Sequence, residues 1–196
     1  MDALPAVFCV NGYGVPLDIM SDELSLRYLS RVVRIARRAP GPLRLYLAGG
    51  ATDPMRPSVT EAAEMERAVR WLLDLNRVEP DRFLVKHIEG TDLLGNLEGL
   101  VRCEGREVRA VVFCEYARQD RVRILCRFLL PNARVEPVAF DSAMGRPFFA
   151  RLRHLPGTVL AVGALLSPAF KRRVFDPLRR LHMARAAARR HARPSP

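Results

Sequence analysis

The sequence lacks the patterns of exported and membrane-spanning proteins. No basic segment followed by an apolar stretch opens the chain, because Asp2 and Pro5 interrupt it and residues 6–10 are only strand length. The nearly uncharged residues 156–170 fall short of the ~20 residues of a membrane span and contain two glycines and two prolines. We therefore expect a cytoplasmic protein, with peripheral association with the inner membrane left open.

Metal-binding and disulfide motifs are also missing. The four cysteines, at positions 9, 103, 114 and 126, show no C-x-x-C spacing, and the four histidines form no H-E-x-x-H pair. Cys9 and Cys114 lie inside apolar, strand-like runs. This pattern favours free, buried thiols and predicts no metal site.

Three common active-site motifs are absent. The chain contains neither G-x-G-x-x-G nor G-x-x-x-x-G-K-[ST], which disfavours a standard dinucleotide or P-loop nucleotide site. It also lacks the G-x-S-x-G elbow, which disfavours serine hydrolysis.

Positive charge is concentrated in residues 171–196. The chain has a net charge of +11, and this segment holds nine Lys and Arg against one Asp, which leaves only +3 for the 170 residues before it. The segment is suited to an anionic membrane surface or an acidic partner. Nucleic-acid binding is disfavoured, because only Phe170 and Phe175 lie near these basic residues and no recognition motif is visible.

Short apolar runs alternate with segments of helical periodicity. This alternation predicts an α/β fold, a Rossmann-like three-layer sandwich with a mostly parallel sheet of about five strands. We expect an α/β domain in residues 1–145, followed in 146–196 by an apolar segment and a basic, helical C-terminal extension. The five runs are residues 6–10, 43–48, 83–88, 110–114 and 135–140.

Helix starts can be read between the strands. The first helix is expected to begin near Asp22, the second after Thr60 as its cap, the third near Asp92 and the fourth at Gln119. The apolar residues 156–170 are expected to cover the sheet or to lie at an interface.

Ligands of doubly wound sheets bind at the carboxyl ends of the strands, so the residues after each run are the candidates. Glycines there let the backbone approach a ligand, and the polar groups suit acid–base work or a phosphorylated ligand. Three simpler interpretations stay open: the glycines serve turns with positive φ, Asp53 nucleates a turn before Pro54, and Glu61 only decorates a helix start. The candidate ligand-binding residues are Asn11, Gly12, Gly14, Arg27, Gly49, Gly50, Thr52, Asp53, Glu61, Glu89, Thr91, Asn96 and Tyr116.

The order of these elements resembles the YdcF/SanA/ElyC family, a bacterial domain of unknown function with a Rossmann-like fold. Residues 11–14, Asn-Gly-Tyr-Gly, match the family's first glycine loop, and Arg27 matches its helix arginine. Residues 48–50, Ala-Gly-Gly, stand for Ser-Gly-Gly, and residues 60–62, Thr-Glu-Ala, stand for Ser-Glu-Ala. The resemblance covers roughly residues 5 to 140.

Two departures bear on function. Gly95-Asn96 replaces the family's Glu-Asn, so the asparagine is kept and its neighbouring carboxylate is lost. The segment after the fourth strand keeps Tyr116 but lacks the family's histidine, and Arg121 stands for the family's arginine. If family members use those groups in catalysis, this chain is a divergent or weakened member.

The resemblance implies a link to bacterial envelope biogenesis and makes S-adenosylmethionine a candidate ligand. Together with the residues, it leads us to expect a small nucleotide-like or phosphorylated ligand at the glycine-rich edge of the sheet. The alternative is a non-catalytic scaffold that binds a membrane surface or a partner through the basic tail. Neither interpretation identifies a reaction, and whether the chain is an enzyme stays open.

Overall fold

A computed structural model describes residues 6–12, 18–53, 56–90, 92–138 and 155–181. Within these residues the chain forms one five-stranded sheet in the order β3-β2-β1-β4-β5, and every neighbouring pair is parallel. The predicted α/β class and Rossmann-like arrangement are confirmed. The strands are β1 (Val7–Asn11), β2 (Leu43–Ala48), β3 (Phe83–Ile88), β4 (Ala110–Glu115) and β5 (Arg134–Val138).

Four helices connect the strands, and side-chain caps fix where three of them begin. The carboxylate of Asp22 accepts the N–H of Ser25 at 2.8 Å, the hydroxyl of Thr60 accepts that of Ala63, and Asp92 accepts that of Gly95. Each cap satisfies a backbone donor that has no partner within its helix. The helices are α1 (Glu23–Ala36), α2 (Glu61–Leu75), α3 (Leu93–Glu104) and α4 (Gln119–Leu129).

Both faces of the sheet are covered, which explains why β1 is buried along its whole length. On one face α1 and α2 pack over a cluster that includes Phe8 and Phe113, whose rings stack with centroids 6.0 Å apart. On the other face α3 and α4 pack over Cys9, Tyr46 and Val112. Alternate residues of each strand therefore serve two separate cores.

The C-terminal described segment completes the second face. Helix α5 (Leu155–Leu166) is followed by α6, residues 168–181, in which Lys171–Phe175 form a wider π-helical turn. Ala161, Ala164 and Phe175 are buried among the residues of α3 and α4. This packing is what we expected of an apolar segment that covers the sheet.

Two ion pairs hold α6 to α3. The ammonium of Lys171 lies 2.6 Å from a carboxylate oxygen of Glu98, and Arg179 lies 3.2 Å from Asp92. The basic segment therefore begins as a docked helix. Among the described residues, no helix combines the length and the apolar character that crossing a membrane requires.

The order in which strands are added to the sheet reverses at β1. Strands β2 and β3 follow on one side of β1, and β4 and β5 lie on the other. The helices change faces at the same point. Such a switch in a parallel sheet opens a crevice at the carboxyl ends of the central strands, here β1 and β4.

The packing predicts that one of the four thiols reacts quickly. Cys9, Cys114 and Cys126 are buried free thiols, and Cys103 in α3 is exposed. Burial raises the pKa of Cys114 and of Cys126 to about 12, so their reactive thiolates are scarce. With an aromatic disulfide reagent the native protein should show one fast thiol, and Cys103→Ser should show none. Two or more fast thiols in the native protein would contradict this packing.

Candidate functional site

The candidate site lies where four parallel strands end at one edge of the sheet. Asn11 is the last residue of β1, and Gly49 follows β2. Gly90 lies two residues beyond β3, and Tyr116 follows β4 directly. Backbone hydrogen bonds tie these ends together: the N–H of Gly12 donates to Ala48, and that of Gly50 donates to Gly90.

A buried carboxylate, Glu61, lies at the centre of this edge. Glu61 is the first residue of α2, and its backbone N–H donates to the carbonyl of Gly50 at 3.1 Å, which docks the helix start onto the strand end. The residue is only 6% exposed. The hydroxyl of Thr52 donates to the carboxylate oxygen Oε1 at 2.6 Å. The candidates Thr52 and Glu61 are thus brought into direct contact.

Two candidate glycines make room for this carboxylate. A Cβ on Gly12 would lie 2.1 Å from Oε2 of Glu61, and a Cβ on Gly49 would lie 2.5 Å from the Cβ of Glu61. Neither glycine has the positive φ of a left-handed turn. The interpretation of these two glycines as positive-φ turn residues is therefore wrong: the absence of a side chain lets Glu61 reach the edge of the sheet.

Two buried asparagines join β1 to α3 and β4. The side-chain amide of Asn96 donates to the side-chain oxygen of Asn11 at 3.3 Å and to the carbonyl of Ala48 at 3.2 Å. The amide of Asn11 donates in turn to the carbonyl of Phe113 at 3.0 Å. The hydrogen bonds of Asn11 and Asn96 therefore link the elements on the two sides of the switch point of the sheet.

The side-chain oxygen of Asn96 has no hydrogen-bond partner within the described part of the chain. It lies against Gly90, where an added Cβ would come within 2.1 Å of it. A buried acceptor without a donor costs about 1–3 kcal/mol. Unpaired buried acceptors of this kind are rare in native proteins.

Asp53 is the second buried carboxylate of the edge. It is 4% exposed, and the guanidinium of Arg56 donates to it at 3.1 Å. The backbone N–H of Arg56 also donates to the carbonyl of Asp53, so the residue does shape a turn, as one of the simpler interpretations expected. Asp53 therefore both shapes a turn and presents a buried carboxylate at this edge.

Other candidates stand apart from this cluster. Arg27 is exposed on α1 and pairs with Glu23, while Glu89 is exposed and Tyr116 half-buried. Gly14 and Thr91 lie outside the described residues.

The sequence reasoning missed Tyr28 as a contributor to the site. The hydroxyl of this buried residue of α1 donates to the backbone carbonyl of Asn11 at 3.3 Å. Tyr28 lies on the apolar stripe of its helix, and nothing in that pattern distinguishes a tyrosine with a polar role from one that only packs. The contact of Asn96 with Gly90 was likewise missed, although the glycine after β3 was a readable signal.

The chemistry of the site is that of hydrogen-bond acceptors. The carboxylates of Glu61 and Asp53 and the amide oxygen of Asn96 can accept from hydroxyl or amino groups of a ligand. Among the described residues, no three His, Cys, Asp or Glu side chains are grouped so as to hold a metal ion. Comparison with protein-family models, curated proteins and solved structures found no match to this chain.

The contact between Gly12 and Glu61 predicts a non-additive pair of substitutions. Gly12→Ala should lower the free energy of unfolding by about 1–3 kcal/mol, because the new methyl group overlaps the carboxylate of Glu61. In a Glu61→Ala background the same change should cost less, since most of the overlapping atoms are gone. Urea unfolding of the four proteins of this cycle measures the coupling.

Gly95→Ala is the matched control for this cycle. A Cβ there would meet its nearest neighbour at 3.4 Å, an ordinary contact, and alanine favours the helix over glycine by about 0.5–1 kcal/mol. The control should be as stable as the parent protein or more so. Additive costs at positions 12 and 61 would contradict the proposed packing.

Proposed function

We propose that this chain is a YdcF-like protein that binds a small nucleotide-like or phosphorylated ligand at the carboxyl edge of its sheet. The observation that carries the proposal is the convergence of buried polar side chains on the switch point between β1 and β4. Glu61, Asn11 and Asn96 are each at most 6% exposed. Burying such groups is costly unless they have partners, and their concentration at one edge favours a binding role.

The position of the carboxylates favours a ligand that carries hydroxyl groups. In doubly wound folds an acidic residue beyond the second strand accepts hydrogen bonds from ribose hydroxyls. Asp53 and Glu61 both follow β2, and both are buried. A nucleoside-like group fits this arrangement, and the family resemblance makes S-adenosylmethionine one candidate. A link to envelope biogenesis is part of the proposal on the same resemblance.

Native mass spectrometry of the full chain tests this proposal. S-adenosylmethionine, nucleotides and isoprenoid phosphates are added in turn, and one of them should give a saturable adduct. Glu61→Gln keeps the shape of the side chain and removes its charge. Losing a charged hydrogen bond of about 1.5–3 kcal/mol should weaken binding by roughly 10- to 100-fold. Asp53→Asn should weaken binding similarly.

The control for Glu61→Gln is Glu64→Gln, one turn further along α2, where the side chain pairs with Arg67. This variant should bind as the parent protein does. Equal affinity in the parent, Glu61→Gln and Asp53→Asn would place the ligand elsewhere. If none of the added compounds gives a saturable adduct, the second candidate function is favoured.

The second candidate is binding to an anionic membrane surface, and exposed residues of α5 and α6 favour it. Along α5, Leu155, Val159 and Leu166 are more than half exposed and recur at helical spacing. Residues 172, 173 and 180 of α6 are exposed arginines. An apolar stripe beside basic side chains suits the interface of an anionic bilayer.

Vesicle binding tests this second candidate. Each basic residue near an anionic surface contributes about 1 kcal/mol, so the double variant Arg172→Gln/Arg173→Gln should bind phosphatidylglycerol vesicles roughly 30-fold more weakly. The control is Arg31→Gln/Arg34→Gln, which removes two exposed arginines from α1. Neither the parent protein nor the two double variants should bind vesicles of phosphatidylcholine alone. Equal weakening by the two double variants would exclude a specific role for α6.

A further inference from the structure

Arg121 is a largely buried cation in the first turn of α4. Its Nε atom is shielded from solvent and lacks a hydrogen-bond partner in the described part of the chain. No ion pair among the described residues includes it, whereas the nearby Arg118 and Arg123 lie 3.5 and 4.0 Å from Glu115 and Asp120. A buried guanidinium of this kind is costly for the fold alone.

The surroundings of Arg121 compensate its charge only in part. Burial lowers the pKa of Arg121, the carboxylate of Asp92 opposes that shift, and the neighbouring Arg118 adds to it. Asp92 is already engaged: it accepts the N–H of Gly95 as the cap of α3 and pairs with Arg179 at 3.2 Å. Among the described residues, the Nε–H group of Arg121 therefore has no acceptor.

Arg121 lies at the same carboxyl edge of the sheet as Glu61, because α4 begins just after the end of β4. It follows β4, whose residue Phe113 accepts the side-chain amide of Asn11. It interacts with Asp92, one turn of α3 before Asn96. Its Nη1 atom would lie 3.0 Å from a Cβ on Gly157, so the start of α5 covers the guanidinium closely.

We propose that Arg121 binds the phosphate group of the ligand whose hydroxyl groups contact Glu61 and the two asparagines. This assignment rests on the function proposed above and narrows the ligand to a phosphorylated hydroxyl compound, such as a nucleotide or a sugar phosphate. The planar guanidinium donates two parallel hydrogen bonds to phosphate oxygens. The phosphate charge offsets the buried cation, while the carboxylates of Glu61 and Asp53 disfavour an anion on their own side of the edge.

Thermal unfolding and calorimetric titration of the full chain with inorganic phosphate, against chloride of matched ionic strength, test the assignment. The Tm of the parent protein should rise with phosphate concentration, because a ligand of the native state stabilises it. Arg121→Gln should abolish that rise and weaken phosphate binding at least tenfold. Without phosphate, Arg121→Gln should be at least as stable as the parent, since it removes an unpartnered buried charge.

The matched control is Arg123→Gln, an exposed arginine of the same helix, which should keep the full phosphate response. A response that survives in Arg121→Gln, or no response in the parent, would overturn the assignment. A loss of stability in Arg121→Gln without phosphate would also overturn it, because the arginine would then be structural.

Glu61→Gln separates this assignment from the function proposed above. That variant should keep the response to inorganic phosphate while it loses affinity for the organic ligand. If Glu61→Gln and Asp53→Asn bind every organic ligand as the parent does and only Arg121→Gln loses phosphate, the phosphate site stands and the proposed ligand site at Glu61 fails.

Discussion

The architecture of the candidate site depends on one close contact, the carboxylate of Glu61 held against Gly12 and Gly49. Glu61 begins α2, so the contact fixes where that helix starts relative to the ends of β1 and β2. The hydroxyl of Thr52 then holds one carboxylate oxygen, which fixes the path of the chain after β2. A helix start, two strand ends and a loop are thereby positioned by a single buried acid.

The buried charges that the proposed ligand would use lie on different elements of this edge. The side towards α2 carries buried carboxylates, and the side towards α4 carries a largely buried guanidinium. The two asparagines carry no charge, and their hydrogen bonds join β1 to α3 and β4. Separated charges of this kind suit a ligand with hydroxyl groups at one end and an anion at the other.

The sheet was predictable because its strands are short apolar runs bounded by turn residues and caps. The predicted runs at 43–48 and 83–88 match β2 and β3, and Thr60 caps α2 as expected. The candidate site was predictable as a location, since parallel strands all end at one edge. Its internal contacts were not predictable. The sequence shows glycines at positions 12 and 49, but the side chain that requires them is that of Glu61, which lies 49 and 12 residues further along the chain, respectively. The burial of Arg121 also depends on α5, which no local pattern connects to α4.

The hydrogen bond from Asn11 to the carbonyl of Phe113 joins residues 102 positions apart in the chain. β1 is the central strand, and its second neighbour, β4, follows three intervening helices. Until β4 arrives, one edge of β1 carries unpaired backbone donors and acceptors and can pair with a strand of another chain. The sheet order therefore makes the folding of this protein slow relative to helical proteins of its size, and it makes the half-built sheet the stage most exposed to aggregation.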